Sequence, residues 1–201
     1  MTNRCFWCGE DPEYIAYHDT EWGIPVRDDR HLFELLCLEG QQAGLSWLVV
    51  LRKRAHYRKV FKNFEIGPVS RIKDKTLEAL VSDAGLIRNR LKLFSIRSNA
   101  LAALALQKEF GSLESYFWRF VDNHPLDGGG RHASAIPART ALSDALCKDL
   151  KKRGFKFIGS TICYAFLQAG GFVNDHTGDC FRYSEQRQAN GTRLAARSKA
   201  Y

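Results

Sequence analysis

The chain has 201 residues, of which 45% are hydrophobic and 12% aromatic, which excludes a disordered protein and suffices for one sizeable core or two small lobes. Thirty Lys and Arg against 22 Asp and Glu give a formal charge of +8, which favours DNA or RNA as a partner, although many basic proteins bind neither. The N-terminus lacks the apolar core of a signal peptide, and no segment approaches the roughly 18 consecutive apolar residues that span a bilayer. We therefore expect a cytoplasmic protein without membrane association. Its six cysteines should be reduced in that compartment.

Helical periodicity recurs along the first half of the chain, whereas sustained alternation does not. Asp11-Pro12 is a typical helix start, with a capping acid followed by a proline that needs no amide partner. Further helices are predicted to begin near Asp28 or Asp29, to run from Ser46 to about Phe61, and to cover 73–82. A turn at 83–85 should follow.

The second half continues in the same way. Helices are predicted from Asn89 to Lys108, after Ser112, from Thr140 or Ser143 to a basic last turn just before Gly154, and over 159–169. Residues 123–139 contain Gly and Pro and are predicted to form a long loop. The fold class is therefore all-α with eight to ten helices. One unit should span 1–183, and 184–201 should form a flexible basic tail.

Cysteine and histidine residues at both ends of the chain form a candidate metal site. His176 and Cys180 are four positions apart, which places them on one helix face or around one turn. Cys5 and His18 offer the same two ligand types near the other terminus. Two thiolates and two imidazoles would make a closed, structural zinc site. Cys8 competes with Cys5, since the two form a C-x-x-C pair, and ordinary thiols remain the alternative.

The segment LEGQQAGLSW, from Leu38, interrupts the apolar pattern with one acid, two amides and two glycines. A loop of this kind can present Glu39 and Trp47 to a cavity, where a buried carboxylate needs a partner. The alternative is that Glu39 lies in an exposed last helical turn.

Aromatic residues cluster in sequence near the N-terminus: Trp7, Tyr14, Tyr17 and Trp22. They suit stacking on a flat, electron-poor ring, and they also suit an ordinary core.

A helix, a turn with Gly85 and a basic helix start occupy 80–90. Such a hairpin points backbone N–H groups towards an anion such as a phosphate.

Four stretches of the chain resemble the 3-methyladenine DNA glycosylase I family. They are AYHDTEWG from Ala16, LFELLCLEGQQAGLSW from Leu32, LVSDAGLIRNR from Leu80 and SDALCKDLKKRGFKFIGSTICYAFLQAGGFVNDH from Ser143. Together with Cys5 and Cys180 they cover most of the chain up to residue 180, and GQQAGLSW and VNDH are the most specific. Residues from Phe181 onwards match nothing that can be carried over.

The resemblance implies a helix-hairpin-helix DNA glycosylase fold, with two helical lobes around a base-binding cleft and one structural Zn²⁺ near the joined termini. The implied zinc ligands are Cys5, His18, His176 and Cys180. The implied base pocket consists of Glu39, with Tyr17 and Trp47 stacking and Trp7 close by. The implied DNA contacts are Gln42, Gly44 and Leu45 beside the opened duplex, and Gly85, Leu86 and Arg88 in the hairpin.

The implied function is base-excision repair of alkylated double-stranded DNA, with free 3-methyladenine as the product. The base must leave the stack, and Leu45 would fill the vacated space. Glu39 is the expected catalytic residue, because a carboxylate accepts hydrogen bonds from the base and favours its positive charge. No acid equivalent to that of other helix-hairpin-helix glycosylases follows the hairpin, so we expect a monofunctional hydrolase without a lyase step. A monomer is expected because it suits an enzyme that encloses a duplex. Asp175 is a weak candidate for a general base.

Three other classes of protein remain open, one of them an unrelated DNA-processing enzyme on a helix-hairpin-helix scaffold, because a fold alone does not give a function. A zinc-stabilised nucleic-acid-binding module without catalysis would explain the charge, the hairpin and the metal ligands, but not Glu39 in its aromatic company. A zinc hydrolase would need an open coordination position and a signature such as His-Glu-x-x-His, and the sequence has no such signature.

Overall fold

The computed structural model describes residues 2–198, and the side chains of residues 2–189. The helices of this part are α1 (Pro12–Thr20), α2 (Asp29–Gln42), α3 (Trp47–Val60), α4 (Ile66–Ser70), α5 (Asp74–Leu80), α6 (Arg90–Phe110), α7 (Leu113–Trp118), α8 (Ala141–Lys152), α9 (Ser160–Ala169) and α10 (Phe181–Ser198). Two strands, β1 (Leu126–Asp127) and β2 (Val173–Asn174), form a parallel pair. The predicted all-α class is therefore confirmed. Within the same residues, no helix combines the length and the apolar character needed to cross a membrane.

The chain divides into two compact units. The terminal unit contains Met1–Pro25, Val121–Ala138 and Leu167–Tyr201. The main unit contains Val26–Phe120 and Arg139–Phe166.

The main unit is built around α6, which packs against α2, α4, α5 and α7. Large apolar side chains of these helices and of their connections are almost completely buried, among them Phe33, Phe64, Tyr116 and Trp118. The indole N–H of Trp118 donates to the carbonyl of Val26 at 2.8 Å, so this large side chain is buried without losing its polar partner. Continuous apolar stripes on several helices thus create one core.

The terminal unit brings the two ends of the chain together. The amide of Phe181 donates to the carbonyl of Asn3 at 3.1 Å, and β1 pairs with β2 in the register Leu126↔Val173. Gly171 has φ +71°, and a Cβ there would lie 2.4–2.6 Å from backbone atoms of residues 23–25. A side chain at this position is therefore excluded twice, by conformation and by space.

Most helix boundaries follow the capping signals of the sequence. Asp11 caps α1, Asn89 caps α6 and Ser112 caps α7 through side-chain hydrogen bonds to first-turn amides. Thr140 forms a capping box at the start of α8. Gly111 ends α6 with φ +85°. The predicted starts of α1, α6, α7 and α8 are confirmed.

Some elements differ from the prediction. Helix α3 begins after Ser46 as expected, but the Ser46 side chain makes no capping hydrogen bond. The short helix α4 was not predicted, because its residues include Gly67 and Pro68. The predicted loop at 123–139 contains β1 and a 3₁₀ turn at Ala133–Ala135. A strand of two residues is too short to show alternation in the sequence.

The segment from 184 onwards, for which we expected a flexible tail, is helical as far as Ser198. Gln186 is buried, so the start of this segment belongs to the packed structure. A helical backbone does not report mobility, so flexibility stays a prediction, and residues 199–201 lie outside the described residues.

Candidate functional site

The terminal unit contains a buried cluster of two thiols and two imidazoles. The ligand atoms of Cys5, His18, His176 and Cys180 all lie within 4.8 Å of one another. The Nδ1 atom of His176 is 3.3 Å from the sulfur of Cys5 and 3.5 Å from that of Cys180, and Nε2 of His18 is 3.4 Å from Cys180. The four predicted ligands are thus brought together and could hold a metal ion.

The outward-facing nitrogens of both histidines have polar neighbours. Nδ1 of His18 lies 2.8 Å from Oδ1 of Asp19. The other carboxylate oxygen of Asp19 pairs with the Arg4 guanidinium at 2.8 Å. Nε2 of His176 lies 3.2 Å from the side-chain amide of Gln186. Such partners fix the ring orientation and leave Nε2 of His18 and Nδ1 of His176 facing the thiols.

The thiols of the cluster are not equivalent. Hydrogen bonds from Cys5 and from the two imidazoles lower the pKa of Cys180, which favours its thiolate. Cys8, the competitor raised by the C-x-x-C spacing, lies outside the cluster, where its thiol donates to the carbonyl of Cys5 at 3.2 Å. Local spacing could not separate Cys5 from Cys8, because the other ligands come from distant segments.

The main unit contains a small cavity where α2 ends. Its volume is about 210 Å³. The lining residues are Glu39, Gln42, Ala43, Gly44, Leu45, Thr161, Ile162 and Ala165. The last three lie on α9 at helical spacing, and sequence reasoning missed them because nothing in an apolar helix shows which side faces a cavity.

Glu39 is the one acidic side chain that lines this cavity. It is only 3% exposed, which rules out the alternative of an exposed last helical turn. Its Oε2 atom has no hydrogen-bond partner among the described residues. Burial raises the pKa of Glu39 to about 8. A buried carboxyl with a vacant oxygen is costly in an empty protein, and it can be matched by a cationic or hydrogen-donating ligand.

The segment that follows Glu39 turns sharply towards α3. Gly44 has φ +80°, and the amide of Leu45 donates to the carbonyl of Gln42 at 2.7 Å. The Leu45 side chain is 42% exposed at the rim of the cavity. Trp47, at the first position of α3, is buried.

The N-terminal aromatic residues contact one another within the terminal unit. The Trp7 ring lies 5.0 Å from the rings of both Tyr14 and Trp22, and 6.4 Å from that of Tyr17. Tyr17 is buried and Trp7 half-buried. The cluster is therefore part of the packing of this unit, and a further role for its faces stays a prediction.

The hairpin joins α5 to α6 in the main unit. Two of its amides have internal partners: Gly85 donates to the Asp83 carboxylate at 2.7 Å, and Ile87 donates to the Tyr57 hydroxyl at 3.1 Å. Leu86 is buried and Arg88 is exposed. Anion binding by the hairpin stays a prediction.

Asp175, the weak candidate for a general base, is buried in the terminal unit. Its oxygens accept hydrogen bonds from Arg131 at 3.3 Å and from Gln168 at 3.0 Å. A Cβ at Gly128 would lie 2.0 Å from one of these oxygens. These contacts are those of a structural carboxylate, and we assign it no proton transfer.

The chain is similar to known glycosylases over most of its length. A family model described as methyladenine glycosylase matches residues 7–183. DNA-3-methyladenine glycosylase 1 of Escherichia coli (strain K12) is 50% identical over 180 residues, which cover 90% of this chain and 96% of that protein. A crystal structure of 3-methyladenine DNA glycosylase I has a TM-score of 0.87 at 50% identity, covering 89% of this chain and 98% of that chain. A structure of 3-methyladenine DNA glycosylase I from Staphylococcus aureus, which addresses 3-methyladenine recognition, has a TM-score of 0.86 at 36% identity. The match covers 90% of this chain and 96% of that chain.

Proposed function

The chain belongs to the methyladenine glycosylase family, and from this premise we propose that it hydrolyses the N-glycosidic bond of 3-methyladenine in alkylated double-stranded DNA. The observation that carries the proposal is Glu39, a buried carboxyl with a vacant oxygen in a small cavity. The cavity is smaller than the roughly 300–1,000 Å³ of sites for drug-sized ligands, so it suits a single base.

Glu39 is assigned the selection of the base. Methylation at N3 makes the base in DNA cationic, so a carboxylate attracts it and does not attract normal adenine. In the free protein the raised pKa keeps Glu39 largely protonated at neutral pH, and an approaching cation favours loss of that proton. Discrimination thus comes from charge and hydrogen bonding, because stacking alone differs little between the two bases.

Aromatic stacking is assigned to three residues by the resemblance. Trp47 belongs to the main unit, and Tyr17 and Trp7 belong to the terminal unit. The faces of electron-rich rings suit a flat cation.

DNA contacts are assigned to two segments of the main unit. Leu45, on the turn with Gln42 and Gly44, is exposed and apolar, which suits insertion into the space left by the flipped base. In the hairpin, Arg88 supplies the phosphate contact, and Gly85 and Leu86 shape the turn.

The reaction proposed is hydrolysis without a lyase step. A lyase needs an amine nucleophile, and the candidate nearest to the hairpin in sequence is Lys92, whose ammonium donates hydrogen bonds to the main-chain carbonyls of Gln41 and Ala43. The methylated base is already a good leaving group, so strong acid catalysis is unnecessary. Water would attack an oxocarbenium-like sugar that Glu39 and the DNA phosphates stabilise.

The metal proposed for the Cys5–His18–His176–Cys180 cluster is zinc. Tetrahedral zinc, with Zn–S of about 2.3 Å and Zn–N of about 2.0–2.1 Å, separates sulfur from nitrogen by about 3.6 Å. The sulfur–nitrogen distances of 3.3–3.5 Å in the cluster fit this requirement. Four protein ligands leave no position for a catalytic water, so the ion would tie the chain termini together and take no part in hydrolysis.

Incubation of the protein with methylated duplex DNA, followed by chromatography of the released bases, tests the proposal. Release of free 3-methyladenine is the expected result. The protein is proposed to act as a monomer, in the cytoplasm where its DNA substrate would lie. Binding of the duplex without release of any base would instead indicate a non-catalytic DNA-binding module.

A further inference from the structure

Lys92, in the first turn of α6, is a buried cation that the proposed reaction does not use. Its side chain is only 6% exposed, and burial lowers its pKa below the ordinary value for lysine. The ammonium donates to the carbonyl of Gln41 at 2.8 Å and to that of Ala43 at 2.6 Å. These carbonyls belong to the end of α2, where main-chain acceptors have no helical partners and the helix dipole is negative. Lys92 thus caps the helix that carries Glu39.

The same lysine is one end of a hydrogen-bonded chain through the core. Its main-chain carbonyl accepts from the side-chain Nε2 of Gln41 at 3.0 Å, and the side-chain oxygen of Gln41 accepts from the Tyr57 hydroxyl at 3.1 Å. The Tyr57 oxygen in turn accepts from the amide of Ile87 at 3.1 Å. A buried polar network of this kind favours one arrangement of the groups that it joins.

The network joins the two segments assigned to DNA. One end holds the carbonyls just before Leu45, and the other holds the backbone of the hairpin at Ile87. We propose that Lys92 is a positioning residue, which acts with Gln41 and Tyr57 to hold the Leu45 turn in register with the hairpin, so that both meet the duplex together. This inference rests on the proposed function, since only a glycosylase that opens the duplex needs the two segments in fixed register.

The test compares Lys92→Met with Lys108→Met, which removes an exposed lysine from the same helix. Lys92→Met should lower the single-turnover release of 3-methyladenine from duplex DNA by roughly ten- to a hundredfold. Affinity for free 3-methyladenine should fall by a much smaller factor than duplex activity in Lys92→Met, because Lys92 itself does not line the cavity, and it should be unchanged in Lys108→Met. An equal loss of free-base affinity would overturn the proposal, because it would show general damage to the cavity.

A double-mutant cycle with Leu45→Ala identifies the route of the effect. If Lys92 acts through the Leu45 turn, the double variant should release base no more slowly than Leu45→Ala alone. Losses that multiply would show that Lys92 acts by another route and would overturn the proposal.

Tyr57→Phe provides a second variant if Lys92→Met does not fold. It keeps the buried ring and removes the hydroxyl that bridges Ile87 to Gln41. A smaller loss of duplex activity is expected, again without loss of free-base affinity. Wild-type activity on duplex DNA would overturn the proposed network.

Hydrogen exchange separates this inference from the proposed function. A wild-type protein that releases no base would contradict the function alone. In that case the amide of Leu45, which is hydrogen-bonded to Gln42, should still exchange faster in Lys92→Met than in Lys108→Met. Equal exchange in the two variants would overturn the positioning role.

Discussion

Replacing Glu39 with glutamine keeps the shape of the side chain and removes its ability to ionise. Burial raises the pKa of Glu39 in the folded protein from the ordinary 4.5 to about 8. Between these two values the unfolded chain has lost the proton that the folded protein keeps. The free energy of unfolding therefore falls as the pH rises through this window, by up to about 1.4 kcal/mol per pH unit, and the glutamine variant escapes this loss.

The magnitude follows from the same two pKa values. Between pH 5.5 and 7.5 the unfolding free energy of the wild type should fall by about 2.5 kcal/mol relative to Glu39→Gln. Differences in packing between a carboxyl and an amide do not depend on pH and cancel in this comparison. Other titrating groups are common to both proteins and cancel as well.

Urea unfolding followed by tryptophan fluorescence, at several pH values across this window, measures the effect. Leu45→Ala, which alters a non-titrating neighbour in the same cavity, is the control, and its difference from the wild type should not change with pH. A difference between wild type and Glu39→Gln that stays constant would mean that Glu39 is ionised in the folded protein. The reasoning about a desolvated carboxyl would then be refuted.

Three further predictions concern the metal, the hairpin and the exposed turn. Cys180→Ala should abolish stoichiometric zinc by elemental analysis and destabilise the protein by at least about 3 kcal/mol, whereas Cys8→Ala should keep the metal; retention of zinc by the first variant would contradict the ligand set. Gly85→Ala places a Cβ 2.5 Å from the His56 ring, so gel-shift titration should show weaker duplex binding, and unchanged affinity would remove the hairpin from the interface. Leu45→Ala should change stability by less than about 0.5 kcal/mol yet slow base release about tenfold or more; equal rates would refute an inserted leucine.

Local signals explain which parts of the fold could be predicted. The caps at Asp11, Asn89, Ser112 and Thr140 act on amides within one helical turn, so the sequence window that contains them is sufficient. The pairing of β1 with β2 depends on a partner more than forty positions away, and no local window contains it.

In the candidate site, too, local features could be predicted from the sequence and long-range ones could not. The four metal ligands come from opposite ends of the chain, so spacing left Cys8 as a competitor and only the family resemblance removed it. Glu39 could be singled out as an acid in an apolar stretch, but its burial depends on surrounding packing that the sequence does not display. Lys92 and Tyr57 gave no signal, because a lysine at a helix start and an aromatic residue in a core are ordinary in sequence.

The central claim is that the Glu39 cavity selects 3-methyladenine in DNA. The most direct measurement is single-turnover release of 3-methyladenine and 7-methylguanine from one methylated duplex, with wild type and Glu39→Ala side by side. The account predicts release of 3-methyladenine alone by the wild type, with this release lost or strongly reduced in the variant. Equal release of both bases, or a variant as active and selective as the wild type, would contradict it.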